Sequence, residues 1–354
     1  MKKNRTRPGA RQRSLQRDLS APEQIFDFDV GRPDDGERLD RLLATRLRWL
    51  SRAAAQELIR EGRASIAPSA SSDVESPKVT VRASTRLKKG QRVFLRVDAA
   101  HIQAERDGEP QDFVPEAVEV LFEDEHLIVL HKPSMLSIHP SPRHLGGSLT
   151  LWAHQRHRLF ERPGQHPPTP CHRLDRETSG VLVMAKSLEA RRNLGRQFEE
   201  RTVSKTYLAW VRGEPSEAFG TIDGPIGPDP ACPYDDMRQM VDPPTGGRTA
   251  RTDWRVGERA PAKTLLELHP ATGRQHQLRV HLQSIGHPIL GDKLYLGGEE
   301  LFGALLDREA TAEELVLLGH SRLALHAWKL SLRHPIDGVE VEYEAPPGSD
   351  FRPV

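Results

Sequence analysis

Cysteine is nearly absent from this chain: 354 residues hold two, Cys171 and Cys232. Two thiols build neither a disulfide framework nor a cysteine-based zinc site, and such sparse use fits a reducing, cytoplasmic compartment. Long apolar runs are missing too. Nothing approaches the ~20 residues that span a bilayer, so no membrane partner is expected. The opening stretch "MKKNRTRPGARQRSLQRDLS" is basic but has no apolar core, so it is no secretory leader. Metal signatures are lacking as well. His139, His144, His154, His157, His166 and His172 lie close in sequence, yet no HExxH or comparable spacing links them, and no metal is expected. Without a glycine-rich phosphate loop, nucleotide hydrolysis has little support.

Charge of one sign is also lacking in total, since the net charge is +1, but it is sorted along the chain. The N-terminal tail is almost purely basic, and Arg38 to Arg96 is basic. Asp107 to Glu125 is acidic. Such sorting reads as a basic module that presents a polyanion to a more neutral body, or as a solvated surface with no partner.

Residues 1–24 are polar and arginine-rich, without apolar periodicity, and read as a disordered basic tail. Leu39, Leu42, Leu43 and Leu47 then fall on one helical face. Ser51 is a candidate N-cap for a second helix and Gly62 its stop. The runs "PKVTVRAS" and "QRVFLRV" read as strands around a "KKG" turn. This gives a small module over 34–98 and an acidic linker over 99–116. From Ala117 strand-like runs dominate: "AVEVLFEDE", "LIVLHKP", "GVLVMAKS", "KTYLAWVRG", "KTLLELHP", "LALHAWKLSL" and "VEVEYEAP". Helices are few. One is "SLEARRNLGRQFEERTV", capped by Ser187; others are "HQLRVHLQSIG", stopped by Gly286, and a region in "GEELFGALLDREATAEELVLLGHS". Strands with scattered helices predict an α+β fold around a largely antiparallel sheet over 117–354.

Three places carry chemistry. In "CHRLDRETSG", Asp175 sits between Arg173 and Arg176 at the mouth of a buried strand, where a carboxylate is costly unless paired. It is either a turn aspartate held by Thr178 and Ser179 or a working acid. In "ATGRQHQLRVHLQSIGHPILGD", Arg274, Gln275, His276, Arg279 and His281 crowd the start of a helix, a natural site for an anion. An inward Arg279 would need an anionic partner; the alternative is a solvated polar face. Tyr207, within "SKTYLAWV", is either core or a ring that stacks a flat ligand. Cys171 beside His172 is no catalytic dyad, because neighbours on an extended chain point to opposite sides.

Taken in order, these segments resemble the RluA-type pseudouridine synthases. "HRLDRETSGVLVMAK" is similar to that family's catalytic motif and "VLFEDEHLIVLHKPSMLSIHP" to its opening strand pair. "SKTYLAWVRG", "PIGP", "GGRTARTDW", "TGRQHQLRVHLQSIGHPILGD", "LALHAWKLSLRHPIDG" and "EAPPGSDF" follow in family order, covering Val118 to Phe351. The first module is similar to a small RNA-binding domain named after a small-subunit ribosomal protein. The chain departs from the family where a usual glycine after "KP-small" is Met135, and in a long 297–320 segment. The resemblance implies a pseudouridine synthase-like mixed sheet with flanking helices, preceded by a small α/β RNA-binding domain. It implies that Asp175 is the catalytic aspartate, that Arg279 pairs with it, and that Tyr207 stacks on the uracil. Arg173 would fill the RNA stack, Leu278 would wall the base pocket, and His172, Thr178, Arg274, Gln275 and His276 would contact substrate. It implies no cofactor. The substrate would be RNA, with large-subunit ribosomal RNA favoured by the extra N-terminal module and transfer RNA as the alternative. A non-catalytic RNA-binding assembly factor is the reading from a different class; loss of Asp175, Tyr207 or Arg279 would mark it, and all three are present. No long coiled coil is evident, so a monomer is expected.

Overall fold

The computed structural model describes residues 23–47, 50, 52–68, 81–98, 118–139, 148–157, 166–232, 238–244, 246–306 and 308–353. The acidic linker, the proposed cap Ser51, His144 and all but the last two residues of the basic tail lie outside them. The described residues fall into two compact units, 23–98 with 150–157 and 166–167, and 118–139 with 148–149 and 168–353. No helix among them is long and apolar enough to cross a membrane.

In the first unit, β1 (Glu23–Asp29), α1 (Leu39–Arg46), α2 (Arg52–Arg60), β2 (Ala64–Pro68) and β3 (Gln91–Asp98) follow one another. The strands form an antiparallel sheet in the order β1-β3-β2. The leucine face of α1 is buried as its spacing predicts, and it packs with Leu58 and Ile59 of α2 and with Val93 and Leu95 of β3. Gly62 ends α2 in the left-handed conformation (φ +74°). Asp40 is fully buried in α1 and takes two bonds from Arg38 (3.0 and 3.1 Å), one from Arg52 (2.9 Å) and one from Gln56 (2.7 Å). A polar tie of this kind joins the two helices; burial opposes the charge of Asp40, but its three partners hold the carboxyl well below its ordinary value. Two expectations are corrected. Among the described residues a strand already occupies Glu23–Asp29, ahead of the expected boundary at 34, and it is the edge partner of β3. Val81–Ser84, read as part of a strand, is a turn-rich segment, and β3 pairs instead with β1 and with "ASIAP" of β2.

The remaining strands are β4 (Glu119–Glu123), β5 (Leu127–Lys132), β6 (Thr169–Pro170), β7 (Ser179–Ala185), β8 (Ser204–Arg212), β9 (Phe219–Asp223), β10 (Ile226–Pro228), β11 (Gln239–Val241), β12 (Arg251–Ala260), β13 (Lys263–Pro270), β14 (Leu325–Arg333) and β15 (Glu340–Glu344). The helices are α3 (Leu149–His157), α4 (Leu188–Glu199), α5 (Gln277–Ser284), α6 (Gly298–Ala304) and α7 (Ala312–Leu318). Ten strands make one sheet whose spine runs β4-β5-β7-β14-β8-β13-β12-β9, with β15 on β14 and β6 on β7. Pairing is antiparallel except between β7 and β14. The fold is α+β with a mixed, largely antiparallel sheet.

All seven residues of β7 are buried, as its unbroken apolar run requires. Val181 and Val183 pack under Ala190 and Leu194 of α4 and beside Leu330 and Leu332 of β14. Ser187 caps α4 by accepting the Ala190 N–H at 3.1 Å. At the head of β7, Gly180 has φ +117°, and a Cβ there would stand 2.1 Å from the Ala327 carbonyl oxygen of β14. Only glycine lets the two strands meet at this point. Farther along the sheet, α5 buries Leu278 and Leu282 in a cluster with Trp210, Leu266, Leu268 and Phe351. Thus β7, β8 and α5 bring three distant sequence motifs together.

Candidate active site

The turn that carries Asp175 is held from both ends. Before it, the Cys171 N–H donates to the Val183 carbonyl (3.1 Å), and Nε2 of His172 accepts from the Val183 N–H (3.1 Å). The His172 ring stacks on Phe198 at 4.9 Å. Within the turn, the Thr178 N–H donates to the Asp175 carbonyl at 3.1 Å. Below it lies Lys132, the last residue of β5 and wholly buried. Its Nζ donates to the carbonyls of Pro133 (2.9 Å), Leu136 (2.9 Å) and Arg176 (3.0 Å), one acceptor for each N–H of an ammonium. Burial pushes this group down to about 7, against the pull of Asp175. Ser134 Oγ adds a bond to the Glu177 carbonyl (2.7 Å), and Arg176 Nε one to the Met135 carbonyl (3.2 Å). Met135 itself is left-handed, with φ +66°. It adopts the backbone conformation that a glycine takes freely, at a cost of about 1 kcal/mol for a side-chain residue.

The second motif is organised by Gln277, the first residue of α5. Its Oε1 accepts from Thr272 Oγ1 (2.7 Å) and the Arg274 N–H (3.0 Å), while Nε2 donates to the Arg251 carbonyl (3.0 Å) and Thr252 Oγ1 (3.1 Å). This fully used amide ties the turn before α5 to β12. Within the first turn of α5, Arg279 points inward. Its Nε and Nη2 bind the two oxygens of Asp292 at 2.7 and 2.9 Å, and its Nη1 donates to Asp175 Oδ2 at 3.2 Å. Asp292 is also held by the backbone N–H groups of Leu294 and Tyr295, each at 3.0 Å. Burial opposes charge on Asp292, but Arg279 holds it ionised, below its ordinary value. Burial likewise opposes charge on Asp175; the cationic form of His276 and then Arg279 hold that carboxyl below its ordinary value. His276 is itself driven down to about 4 by burial and by Arg279. Near neutral pH its ring is therefore uncharged, and Arg279 supplies the ionic support.

These residues line a small pocket of about 110 Å³. Asp175, Arg279 and His276 form one wall; Tyr207, Leu278 and Leu325 supply flat and apolar surface. Lys205, two residues before Tyr207 and on the same face of β8, adds a cation. Burial and the charge of Asp175 push the Tyr207 phenol above its ordinary value, so it keeps its proton near neutral pH. The arrangement brings an ionised carboxylate, a neutral phenol and apolar side chains to one pocket. A larger cleft of about 830 Å³ lies in the first unit, lined by Arg60, Arg63, Arg82 and Arg96 beside Phe94. Its carboxylate–arginine pair, Glu61 with Arg63 at 3.0 Å, is exposed to solvent, whereas the Asp175–Arg279 pair of the smaller pocket is largely buried.

Of the residues named from sequence, Asp175, Tyr207, Arg279, Leu278, Thr178, Arg274, Gln275, His276 and Arg173 all line this pocket. Arg173 and Gln275 are exposed on its rim, and Arg274 Nε bonds the Thr249 carbonyl at 3.0 Å. His172 does not line it: its ring is taken up by Phe198 and the backbone of β7. Asp292, Lys132, Tyr295, Gln277 and Lys205 escaped sequence reasoning. A lysine closing an otherwise apolar strand was a readable signal for Lys132; Asp292 meets Arg279 through the tertiary fold alone.

The fold thus sets a carboxylate braced by a buried arginine beside a tyrosine on a largely antiparallel sheet. Residues 126–284 match the family model described as RNA pseudouridylate synthase. The chain is 38% identical over 325 residues to the ribosomal large subunit pseudouridine synthase D of Nitrosomonas europaea, covering 90% of this chain and 84% of that one. It is 33% identical to the enzyme of the same name from Pseudomonas aeruginosa, over 92% of this chain and 91% of that one. Among solved structures, human RNA pseudouridylate synthase domain containing 4 aligns with a TM-score of 0.51 and 28% identity, over 71% of this chain and 93% of that one. The chain belongs to the RNA pseudouridylate synthase family, whose members isomerise uridine to pseudouridine in RNA.

Proposed function

We propose that this protein converts one or a few uridines of large-subunit ribosomal RNA to pseudouridine in the cytoplasm, with Asp175 as its catalytic carboxylate. The observation that carries the reading is the Asp175–Arg279 contact of 3.2 Å inside a pocket walled by Tyr207 and Leu278. In the isomerisation a C–N glycosidic bond breaks and a C–C bond to carbon 5 of uracil forms; the carbon loses a proton and the freed ring nitrogen gains one. Atoms and electrons balance without a cofactor. The sugar carbon needs a group that acts as nucleophile or base, and a carboxylate kept ionised by a guanidinium serves either role. Tyr207, holding its proton, stacks on the uracil and orients the water that takes the proton from carbon 5.

A uridine in structured RNA must leave its stack to reach so small a pocket, at a cost of a few kcal/mol. The exposed Arg173 at the rim fills the gap with its planar guanidinium, offsetting part of that cost. The arginine-lined cleft of the first unit contacts phosphates and positions the RNA. The ribosomal target is favoured by the names of the relatives that match over most of the chain.

The test is to map pseudouridines in ribosomal and transfer RNA from cells that carry the wild-type gene, a deletion, or Asp175→Asn. The expected result is loss of the same large-subunit sites in both mutants. Loss confined to transfer RNA would move the target, and intact sites with a growth defect rescued by Asp175→Asn would assign the protein an assembly role instead.

A further inference from the structure

We propose that His276 and Tyr295 form a positioning pair that, together with Arg279, pins Oδ2 of Asp175 and leaves Oδ1 as the reacting oxygen. The inference rests on the reading of Asp175 as the catalytic carboxylate.

Both groups that approach the Asp175 carboxylate do so at the same atom. Arg279 Nη1 lies 3.2 Å and His276 Nε2 4.0 Å from Oδ2. Among the described residues, no hydrogen bond reaches Oδ1. One oxygen is thus tethered while the other keeps its lone pairs for the substrate.

The His276 ring is not free to turn. Its Nδ1 lies 3.2 Å from the Tyr295 hydroxyl, and the two rings meet edge to face at 5.8 Å and 89°. The Tyr295 oxygen already accepts the Gln239 N–H at 2.8 Å. Its one proton therefore goes to Nδ1, which sets the other ring nitrogen as Nε2–H. The opposite tautomer would turn a lone pair toward the carboxylate. Burial pushes the Tyr295 phenol above its ordinary value, so the donor persists across the working pH range. Tyr295 also lies 5.1 Å beneath the Arg279 guanidinium, so one phenol orients both groups that meet Oδ2.

The backbone carries a matching sign. His276 has φ +54°, a left-handed conformation that histidine seldom adopts and that surrounding structure must maintain. The strain places the imidazole inward just before α5 begins. The charged and titratable groups that face the pair are Arg279, Asp175, Asp292, Arg173 and, over the Tyr295 ring at 6.0 Å, Arg238; Asp175 also faces Lys132 and Tyr207. Removing His276 takes away the positive field of its protonated ring, 4.0 Å from Oδ2, so the Asp175 carboxyl would titrate at higher pH.

The experiment measures tritium release from a large-subunit ribosomal RNA transcript labelled at carbon 5 of uridine, at single turnover from pH 3 to 9. Wild type, His276→Ala, His276→Gln, Tyr295→Phe and Asp175→Asn are compared, with RNA affinity and thermal unfolding measured for each. His276→Ala is expected to slow the step about 10- to 100-fold, with affinity within about threefold of wild type. Tyr295→Phe keeps the ring under Arg279 and should slow it about fivefold or more, with the acid limb moved to higher pH. His276→Gln, which restores an N–H near the position of Nε2, should recover part of the rate. An active wild type whose Tyr295→Phe and His276→Ala variants keep its rate and acid limb, or change affinity alone, overturns the inference. Wild type inert on the transcript overturns the ribosomal reading first, and this inference with it.

Discussion

Replacing Asp292 by asparagine removes one charge and almost no volume. The aspartate is buried and accepts four hydrogen bonds, two from the Arg279 fork and two from backbone N–H groups. An asparagine oxygen can keep the backbone pair, but its amide N–H₂ then confronts an arginine N–H. Removing one partner from a buried ion pair costs about 3–5 kcal/mol. Asp175 remains as a second anion for Arg279, so the loss should fall near the lower figure, about 3 kcal/mol. For a unit of this size that corresponds to a drop in Tm of about 6–12 °C. The folded-state pKa of Asp292 lies below its ordinary value of 3.8. Its contribution is therefore complete above that value and is lost as pH falls through the folded pKa. Urea unfolding followed by tryptophan fluorescence should show a gap between wild type and Asp292→Asn that is flat from pH 8 to 5 and narrows below about pH 4. A gap under about 1 kcal/mol, or one that widens in acid, would refute the claim that a charged Asp292 anchors Arg279.

Other perturbations probe the frame of the site. Gly180→Ala places a Cβ 2.1 Å from the Ala327 oxygen at φ +117°; expression should yield little folded protein, and a soluble variant within about 1 kcal/mol of wild type would contradict the close approach of β7 to β14. Lys132→Met leaves three carbonyls without their donor and should cost about 2 kcal/mol or more, measured by urea unfolding at pH 6, with turnover reduced because the Arg176 carbonyl is released. The Tyr207 hydroxyl has no hydrogen bond among the described residues, so Tyr207→Phe should leave Tm and RNA affinity near wild type while tritium release falls about 100-fold.

Much of this fold was legible because its core strands carry their own signal. β7 reads as buried from its unbroken run, and the structure buries all seven of its residues. The cap and apolar face of α4 were visible for the same local reason. β12 was missed because it is amphipathic with a broad wet face; in "RTDWRVGERA" the two buried side chains are Thr252 and Trp254. "PKVTVRAS" misled through its β-branched residues, although Val81 belongs to the core of the first unit without lying in a strand. At the site, the demand of an inward Arg279 for an anion followed from desolvation. That Asp292 meets it could not be read, since the chain between them turns through Gly286 and Gly291, both left-handed, before returning. His172 stands three residues from Asp175, yet β7 takes up its ring.

The same arginine serves two carboxylates in unequal ways, and the inequality is what would suit the site to the proposed reaction. A guanidinium can grip one carboxylate with two parallel bonds. Were that partner Asp175, both of its oxygens would be engaged and none would remain for the sugar. Instead Asp292 takes Nε and Nη2, fixes the plane of the guanidinium, and leaves the single donor Nη1 for Asp175. Asp175 gains the field of a full positive charge, enough to stay ionised despite burial, but spends only one oxygen on it. A lysine at 279 would supply the charge without the fork, so it could not hold Asp292 on one side and meet Asp175 in a fixed direction on the other. The buried aspartate that sequence reasoning overlooked thus decides how Asp175 presents its carboxylate.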